Sequence, residues 1–208
     1  MQPHQKFNLI LVDPKIKLCQ TWEKAFENHP RVSIVHGYFE KVEEYDCLIS
    51  PANSFGIMDG GIDLAIIRYF GRQLQDHVQA VIKEDYYGEQ PVGTSFIVKT
   101  NHPKHPYLAH TPTMRVPMDI TGTDHVYKAM LAMLQAVSNH NKKAAATERI
   151  KTVLCPGLGT ATGRILPKEA ARQMELAYKY FKMPSFPVWQ YLFERQRMIG
   201  YGGNLKLP

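Results

Sequence analysis

A short apolar strand that runs directly into a glycine-rich loop organises the chain around residues 45–63. Cys47-Leu48-Ile49 is too short and too apolar for a helix, and Pro51 ends the strand because proline cannot donate a ladder hydrogen bond. Gly60 and Gly61 then let the backbone pass close to a ligand. A helix begins near Gly61, and the free amide groups at its start favour an anion. The stretch therefore predicts a phosphate site at the end of a strand.

Two short polar residues, Asn53 and Asp63, stand at the two ends of this loop. Loops that follow a rigid scaffold often carry functional side chains, so both are candidates for chemistry on whatever the glycines hold. Asp63 has a purely structural alternative, because an acid in the first turn also suits the positive end of a helix.

A second glycine-rich loop follows the last predicted strand, residues 151–155, and precedes a helix predicted over 167–181. The loop, residues 156–164, consists mostly of small residues that leave the backbone amides accessible, and Thr160 adds a hydroxyl donor. We expect this loop to be a second phosphate cradle.

The order of elements predicts the fold class. Apolar runs predict strands over 6–12, 32–35, 47–49, 94–99, 106–110 and 151–155, and periodic patterns predict helices over 15–28, 61–82, 125–140 and 167–181. Asp13 before Pro14 is expected to cap the first helix. Strands that alternate with helices, with one hairpin of 94–99 and 106–110, indicate a three-layer α/β/α sandwich with a mixed, mostly parallel sheet. Both glycine loops would then meet at the carboxyl edge of the sheet.

Length and composition fit one domain over 1–208, with a core of about 6–182 and an appendage over 183–208. No stretch reaches the length of a membrane span or has the pattern of a signal peptide, so a cytoplasmic protein is expected. Cys19, Cys47 and Cys155 are interpreted as buried reduced thiols. The formal net charge of +6 favours anionic partners, but the basic residues are dispersed, which favours a solvated surface over a nucleic-acid face.

The first loop resembles the ADP-ribose site of the macrodomain family, which has an Asn-Ala-Ala-Asn turn, four glycines and then Val-Asp at a helix start. Asn53 matches the last Asn of the turn, Gly60 and Gly61 match the last two glycines, and Asp63 falls ten residues after Asn53, as in hydrolytic members.

Several positions depart from the family pattern. Ser50-Pro51 stands where the first Asn and an Ala would be, and Met58-Asp59 replaces the first two glycines. Tyr38 occupies the position of an Asp that recognises the adenine amino group in many macrodomains. The family's second-loop aromatic is absent, and Thr162 or Arg164 stands in its place.

The resemblance implies that the chain hydrolyses the bond between ADP-ribose and a modified macromolecule, with Asn53 and Asp63 as catalytic residues and no cofactor. The implied ligand-binding residues are Ser54, Gly60, Gly61, Ile62, Gly157, Gly159, Thr160, Ala161, Thr162, Gly163 and Arg164. A non-catalytic reader of ADP-ribose, or of a related nucleotide signal, is the alternative. The partner could be a modified protein, DNA, RNA or metabolite, so nucleic acid enters only as a modified substrate. The oligomeric state is left open.

Other site types fit the sequence less well. Glycines at 157, 159 and 163 suggest a dinucleotide fingerprint, but that motif normally belongs to the first strand-helix unit, and only 45 residues follow Gly163. Neither a Walker loop nor a Gly-x-Ser-x-Gly elbow is present.

Three histidines and one arginine are further candidates for ligand binding. His102, His105 and His110 suggest zinc, but flanking prolines and the lack of a completing Cys or acid favour loop histidines without metal. Arg115 could bind a phosphate, although a surface ion pair is favoured.

Overall fold

The computed structural model describes residues 6–183 and 188–201. Within them six strands form a single sheet in the order β2-β1-β6-β3-β5-β4. The strands are β1 (Asn8–Asp13), β2 (Val32–His36), β3 (Cys47–Ser50), β4 (Phe96–Lys99), β5 (Tyr107–His110) and β6 (Thr152–Pro156). Only β4 is antiparallel to its neighbour, so the predicted mixed sheet and its hairpin are confirmed.

The described residues form six α-helices, four of which lie between strands and two of which follow β6. They are α1 (Ile16–Ala25), α2 (Gly61–Phe70), α3 (Gln73–Asp85), α4 (His125–Lys143), α5 (Pro167–Lys182) and α6 (Trp189–Ile199). No helix in the described ranges is both long and apolar enough to cross a membrane.

Alternate side chains of the central strands serve two separate cores, which is why the fold has three layers. In β3, Cys47 and Ile49 join the core under α1, α4 and α5, whereas Leu48 joins the core under α2 and α3. In β6, Val153 and Leu154 divide in the same way. A strand buried on both faces must be apolar along its whole length, which explains the uninterrupted apolar runs in the sequence.

The prediction of a single helix over 61–82 is wrong, because the structure has two helices with a break at Gly71. Gly71 has φ +97° and follows the last residue of α2, where its amide N–H donates to the carbonyl of Ile67. This backbone conformation is open to glycine at little cost and ends a helix, so α3 restarts two residues later at Gln73.

Five strands run in parallel and therefore end at one edge of the sheet. In the register of β3 and β5, Ser50 lies beside His110, and in that of β1 and β6, Val12 lies beside Pro156. The loops after β1, β2, β3, β5 and β6 consequently gather at this carboxyl edge, as the sequence predicted for the two glycine loops.

The C-terminal appendage contains α6, which packs on α5 through Ile199. Arg172 of α5 donates to the carbonyl oxygens of Met198 (2.6 Å) and Ile199 (3.0 Å). Residues 184–187 and the end of the appendage, 202–208, lie outside the described residues.

Gly56 fixes the loop after β3 against α3, and its replacement tests that contact. It has φ +63°, and an added Cβ would lie 2.8 Å from Val78 Cγ1 and 2.9 Å from Ile82 Cδ1. We expect Gly56→Ala to lower the free energy of unfolding by about 2–4 kcal/mol, from backbone strain and overpacking together. Gly88→Ala is the matched control, because Gly88 has φ +96° but open space around it, so only the strain remains. Equal losses in urea unfolding would contradict the packing contact.

Candidate functional site

Two adjoining cavities open at the carboxyl edge of the sheet. The first, of about 300 Å³, is called the Tyr38 cavity and is lined by Asp13, Lys15, Gly37, Tyr38 and Ala65 among others. The second, of about 280 Å³, is called the Asp63 cavity and is lined by Asn53, Asp59, Asp63, Thr113 and Gly163 among others. The two cavities share five residues, Gly61, Ile62, Gly157, Thr160 and Ala161. These belong to the two glycine loops, so the loops meet at the junction of the cavities.

The start of α2 lies at this junction and presents free amide groups there. Gly60 is the N-cap residue and provides no side-chain cap, so the amides of Gly61, Ile62 and Asp63 lack partners within the helix. Unsatisfied amides and the helix dipole together favour an anion.

The second loop approaches the same junction with its backbone exposed. In the described part of the chain, no hydrogen bond is found for the amide N–H groups of Thr160, Ala161 and Thr162. Gly157 has to be glycine for reasons of space, because a Cβ there would lie 2.6 Å from Asp13 Oδ2 and 2.7 Å from Thr160 Oγ1. The arrangement resembles a nest, a concave group of backbone amides that can bind an anion.

Asp63 is a buried acid with one hydrogen-bonded oxygen. Its side chain extends from the first turn of α2 into the Asp63 cavity and is 7% exposed. Ser50 Oγ, at the end of β3, donates to Asp63 Oδ1 at 2.6 Å. Burial raises the pKa of Asp63 to about 6, the Ser50 hydrogen bond opposes the shift, and the nearby Asp59 charge adds to it. An acid tuned towards neutral pH in a cavity is typical of a functional group.

Asn53 uses most of its amide to shape the first loop. Its Oδ1 accepts from the backbone N–H groups of Phe55 (3.1 Å) and Ile57 (3.3 Å), and its Nδ2 donates to the carbonyl of Ile57 at 2.7 Å. One Nδ2 hydrogen remains for a ligand in the Asp63 cavity.

Further backbone hydrogen bonds tie this loop to its neighbours. Ser54 donates from its amide to the carbonyl of Arg115 at 3.0 Å and accepts at its carbonyl from the amide of Gln90 at 2.9 Å. Asn53 and Met114 form an isolated parallel bridge. The first loop is therefore joined to the loop after β5, whose Thr113 and Met114 line the Asp63 cavity.

Two of the predicted ligand-binding residues do not line either cavity. Ser54 is 1% exposed and is absent from the lining of both cavities. Arg164 is directed outward, 3.9 Å from Asp119, at a backbone φ of +55°. The other predicted site residues do gather at the two cavities.

The departures from the family pattern have visible places in the structure. Met58 is fully buried in the core under α2 and α3, and its amide donates to Gln75 Oε1 at 2.8 Å. Asp59 is exposed on the rim of the Asp63 cavity, and Tyr38 is a 63% exposed aromatic on the rim of the Tyr38 cavity.

Sequence reasoning missed Ser50 and Asp13 as site residues. Ser50 is the hydrogen-bond partner of Asp63, and the two side chains meet only because the end of β3 lies beside the start of α2. Asp13 does not cap α1, whose N-cap is Lys15. It accepts from the Lys15 amide at 2.8 Å, and its carboxylate lines the Tyr38 cavity. Burial raises the pKa of Asp13. Its position at the end of a central strand was the available signal.

The other candidate side chains have structural partners. Arg115 forms a bidentate ion pair with Glu89 (2.5 and 2.9 Å), so the favoured surface ion pair is confirmed.

His105 Nδ1 is 2.9 Å from the Tyr45 carbonyl, and His110 Nδ1 is 2.6 Å from Gln90 Oε1. Among the described residues, no group of three or more His, Cys, Asp or Glu side chains could hold a metal ion. The three cysteines are buried and free, as predicted.

A larger and more open depression, of about 830 Å³, lies at the opposite edge of the sheet, where β1, β2 and β6 begin. It contains neither glycine loop and none of the candidate residues. Size alone does not identify a site, so the carboxyl edge remains the better candidate.

The buried charge of Asp63 should lower stability at neutral pH. The folded carboxyl keeps its proton up to about pH 6 and the unfolded one only to about 3.8, so the free energy of unfolding falls as pH rises through this window. Asp63→Asn removes the charge and keeps an oxygen for Ser50. At pH 8 we expect it to be more stable than wild type by up to about 3 kcal/mol, a gain that shrinks below pH 6 and vanishes near pH 4.

Urea unfolding of both proteins from pH 4 to pH 8 measures this difference. Asp76→Asn, at an exposed acid in the first turn of α3, is the control and should give no such gain. A variant no more stable than wild type at pH 8 would show that Asp63 is not destabilised by burial.

Two proteins are similar to this chain in sequence. A protein of Aquifex aeolicus (strain VF5), described as uncharacterized, is 32% identical over 143 residues, which is 69% of this chain and 78% of that protein. An Aeropyrum pernix protein, also described as uncharacterized, is 28% identical over 134 residues, 64% of this chain and 62% of its own length.

Solved structures share the fold at low sequence identity. The macrodomain of Mycobacterium tuberculosis DarG matches with a TM-score of 0.57 and 18% identity, over 69% of this chain and 87% of its own. An Oceanobacillus iheyensis macrodomain variant with ADPR matches with a TM-score of 0.57 and 16% identity, over 85% and 80%. The Macro domain family matches residues 49–174, a segment that includes both glycine loops and Asp63. The chain therefore belongs to the macrodomain family.

Proposed function

We propose that the protein binds ADP-ribose attached to a macromolecule and hydrolyses the bond between them. The observation that carries the proposal is Asp63, a buried acid with a raised pKa beside an amide-lined anion site. Burying an ionisable acid lowers stability, and a site that only binds ADP-ribose has no need for such an acid. The Oceanobacillus iheyensis macrodomain, which shares this fold, is described with ADPR, and this supports the ligand by analogy.

The geometry supports one placement of the ligand. The diphosphate would lie at the junction of the cavities, against the amides of α2 and of Thr160 and Ala161. The adenosine half would fill the Tyr38 cavity, where the tyrosine ring offers a stacking surface and Asp13 offers an acceptor for ligand N–H or O–H groups. The distal ribose would then enter the Asp63 cavity.

Hydrolysis there needs a positioned water and a base. Asp63 Oδ1 is held by Ser50, and its other oxygen would accept a proton from a water directed at the anomeric carbon. The water oxygen forms a bond to that carbon, while the bond to the macromolecule breaks and the leaving group takes its electron pair. The proton on Asp63 is then available to the leaving group. Fixed amides at the diphosphate orient the sugar for this attack.

Substitution of Asp63 and of Asn53 separates chemistry from binding. Asp63→Asn should reduce turnover by roughly a hundredfold or more, because it removes the base, yet leave ADP-ribose binding intact. Asn53→Ala should weaken both turnover and binding, because Asn53 also holds the first loop through three hydrogen bonds. Release of ADP-ribose from a modified substrate measures turnover, and calorimetry with ADP-ribose, AMP and NAD measures selective binding. Asp76→Asn serves again as the control.

Each result has a definite meaning. Unchanged turnover in Asp63→Asn would remove this residue from the mechanism. Selective binding by wild type without turnover on protein, DNA, RNA or small substrates would make the protein a reader of ADP-ribose. No binding at millimolar ADP-ribose would contradict both functions.

Asp59 should weaken the binding of a diphosphate, because its exposed carboxylate lies on the rim of the Asp63 cavity. Asp59→Asn should bind ADP-ribose a few-fold more tightly, by about 0.5–1 kcal/mol, with the gain lost at high salt. It should also move the acidic limb of the pH–turnover profile to lower pH, since Asp59 contributes to the raised pKa of Asp63. Asp85→Asn, an exposed acid at the end of α3, is the control for net charge. Equal affinities of wild type and Asp59→Asn at low salt would be the contrary result.

A further inference from the structure

A basic groove lies between α1 and α5, outside the two cavities. It is an open depression of about 620 Å³. The basic groove is the surface lined by Lys17, Gln20, Thr21, Lys24, Lys168 and Arg172, together with two alanines. No acidic residue lines it.

Three of its cations are free to bind a partner. No ion pair is found for Lys17, Lys24 or Lys168 in the described part of the chain, and all three are exposed. Arg172 is different, because Glu169 holds its guanidinium at 2.7 and 2.8 Å. Like charges brought together without counter-charges leave a positive potential that an anion can relieve.

The lysines come together only in the folded chain. Lys17 and Lys24 are two helical turns apart on one face of α1, about 10 Å along its axis, while Lys168 comes from the first turn of α5. The sequence contains no basic block, and dispersed charges favoured a plain solvated surface, but packing of α1 against α5 collects them.

We propose that the basic groove binds the phosphate backbone of double-stranded DNA. The lining offers charge and hydrogen-bond donors but no aromatic ring, so it lacks the stacking surfaces that single strands use. It also lacks the aromatic anchors of a protein interface and the apolar face of a membrane-bound helix. A contact made by charge alone gains most from the polyanion with the densest charge, and this is a duplex.

The basic groove also leads towards the cavities. Lys15, the residue before α1, lines the Tyr38 cavity, and its Nζ donates to the Thr160 carbonyl of the second loop at 3.2 Å. A duplex in the groove would thus lie along a helix whose first residues reach the candidate site. DNA binding does not depend on the proposed hydrolysis, since none of the three free lysines lines either cavity.

Two triple variants of the full chain test this proposal. K17Q/K24Q/K168Q removes the three unpaired positive charges of the groove. K41Q/K83Q/K143Q removes the same number of charges from exposed lysines elsewhere. Fluorescence anisotropy with a labelled DNA duplex of about 20 base pairs, at several salt concentrations, gives the affinity and its salt slope. The groove variant should bind on the order of ten- to a hundredfold more weakly, and its log–log salt slope should fall by about 2–3, one phosphate per lysine. The control variant should keep most of the slope.

The alternatives give different results. Equal losses in the two variants would overturn the proposal, because net charge alone would then explain binding. Tighter binding of a single-stranded oligonucleotide, equal competition by polyglutamate, or no duplex binding at 50 mM salt would overturn it as well. Calorimetry with ADP-ribose on the groove variant should match wild type, so a failure of DNA binding and a failure of the proposed function can be told apart.

Discussion

Burial of both faces of the sheet determines where this protein can have a site. Successive residues of β3 and β6 point into opposite cores, so neither face of these strands is open to solvent. Free backbone groups can then appear only where strands end and helices begin, and five parallel strands bring five loops to one edge. The amides of the two glycine loops meet at the junction of the cavities, and they provide a positive potential although no Lys or Arg lines the Asp63 cavity.

Asp63 illustrates how a site can oppose the stability of its own scaffold. The Asp63 side chain is buried with Ser50 as its donor, and both the burial and the Asp59 charge make ionisation harder. A structural acid at a helix start would be expected to remain in solvent, where the dipole stabilises it at no cost of desolvation. Capping alone therefore does not explain the buried position.

Much of this could be read from the sequence, because the informative features are local. Apolar runs, the glycine loops and the Asn53 to Asp63 spacing specify strand, loop and helix start without knowledge of distant contacts. What escaped depends on contacts between distant residues. The Ser50 hydrogen bond to Asp63 requires the end of β3 to lie beside the start of α2. Asp13 lies at the cavity because β1 pairs with β6, the strand before the second glycine loop. The Ser54 backbone is held by hydrogen bonds with Gln90 and Arg115, which are distant in the sequence. Glycine weakens a helix interior, but the positive φ with which Gly71 ends α2 is not visible in the sequence.

The hydrogen bonds that join the first loop to the loop after β5 have a consequence for recognition. Asn53, Ser54 and Gly56 are each fixed to a different neighbour, through the Ile57 carbonyl, the Arg115 carbonyl and the side chains of α3. A loop held in this way has already lost most of its conformational entropy during folding. A ligand that fits it would meet a pre-organised surface, associate without a slow rearrangement, and retain more of its contact energy as affinity.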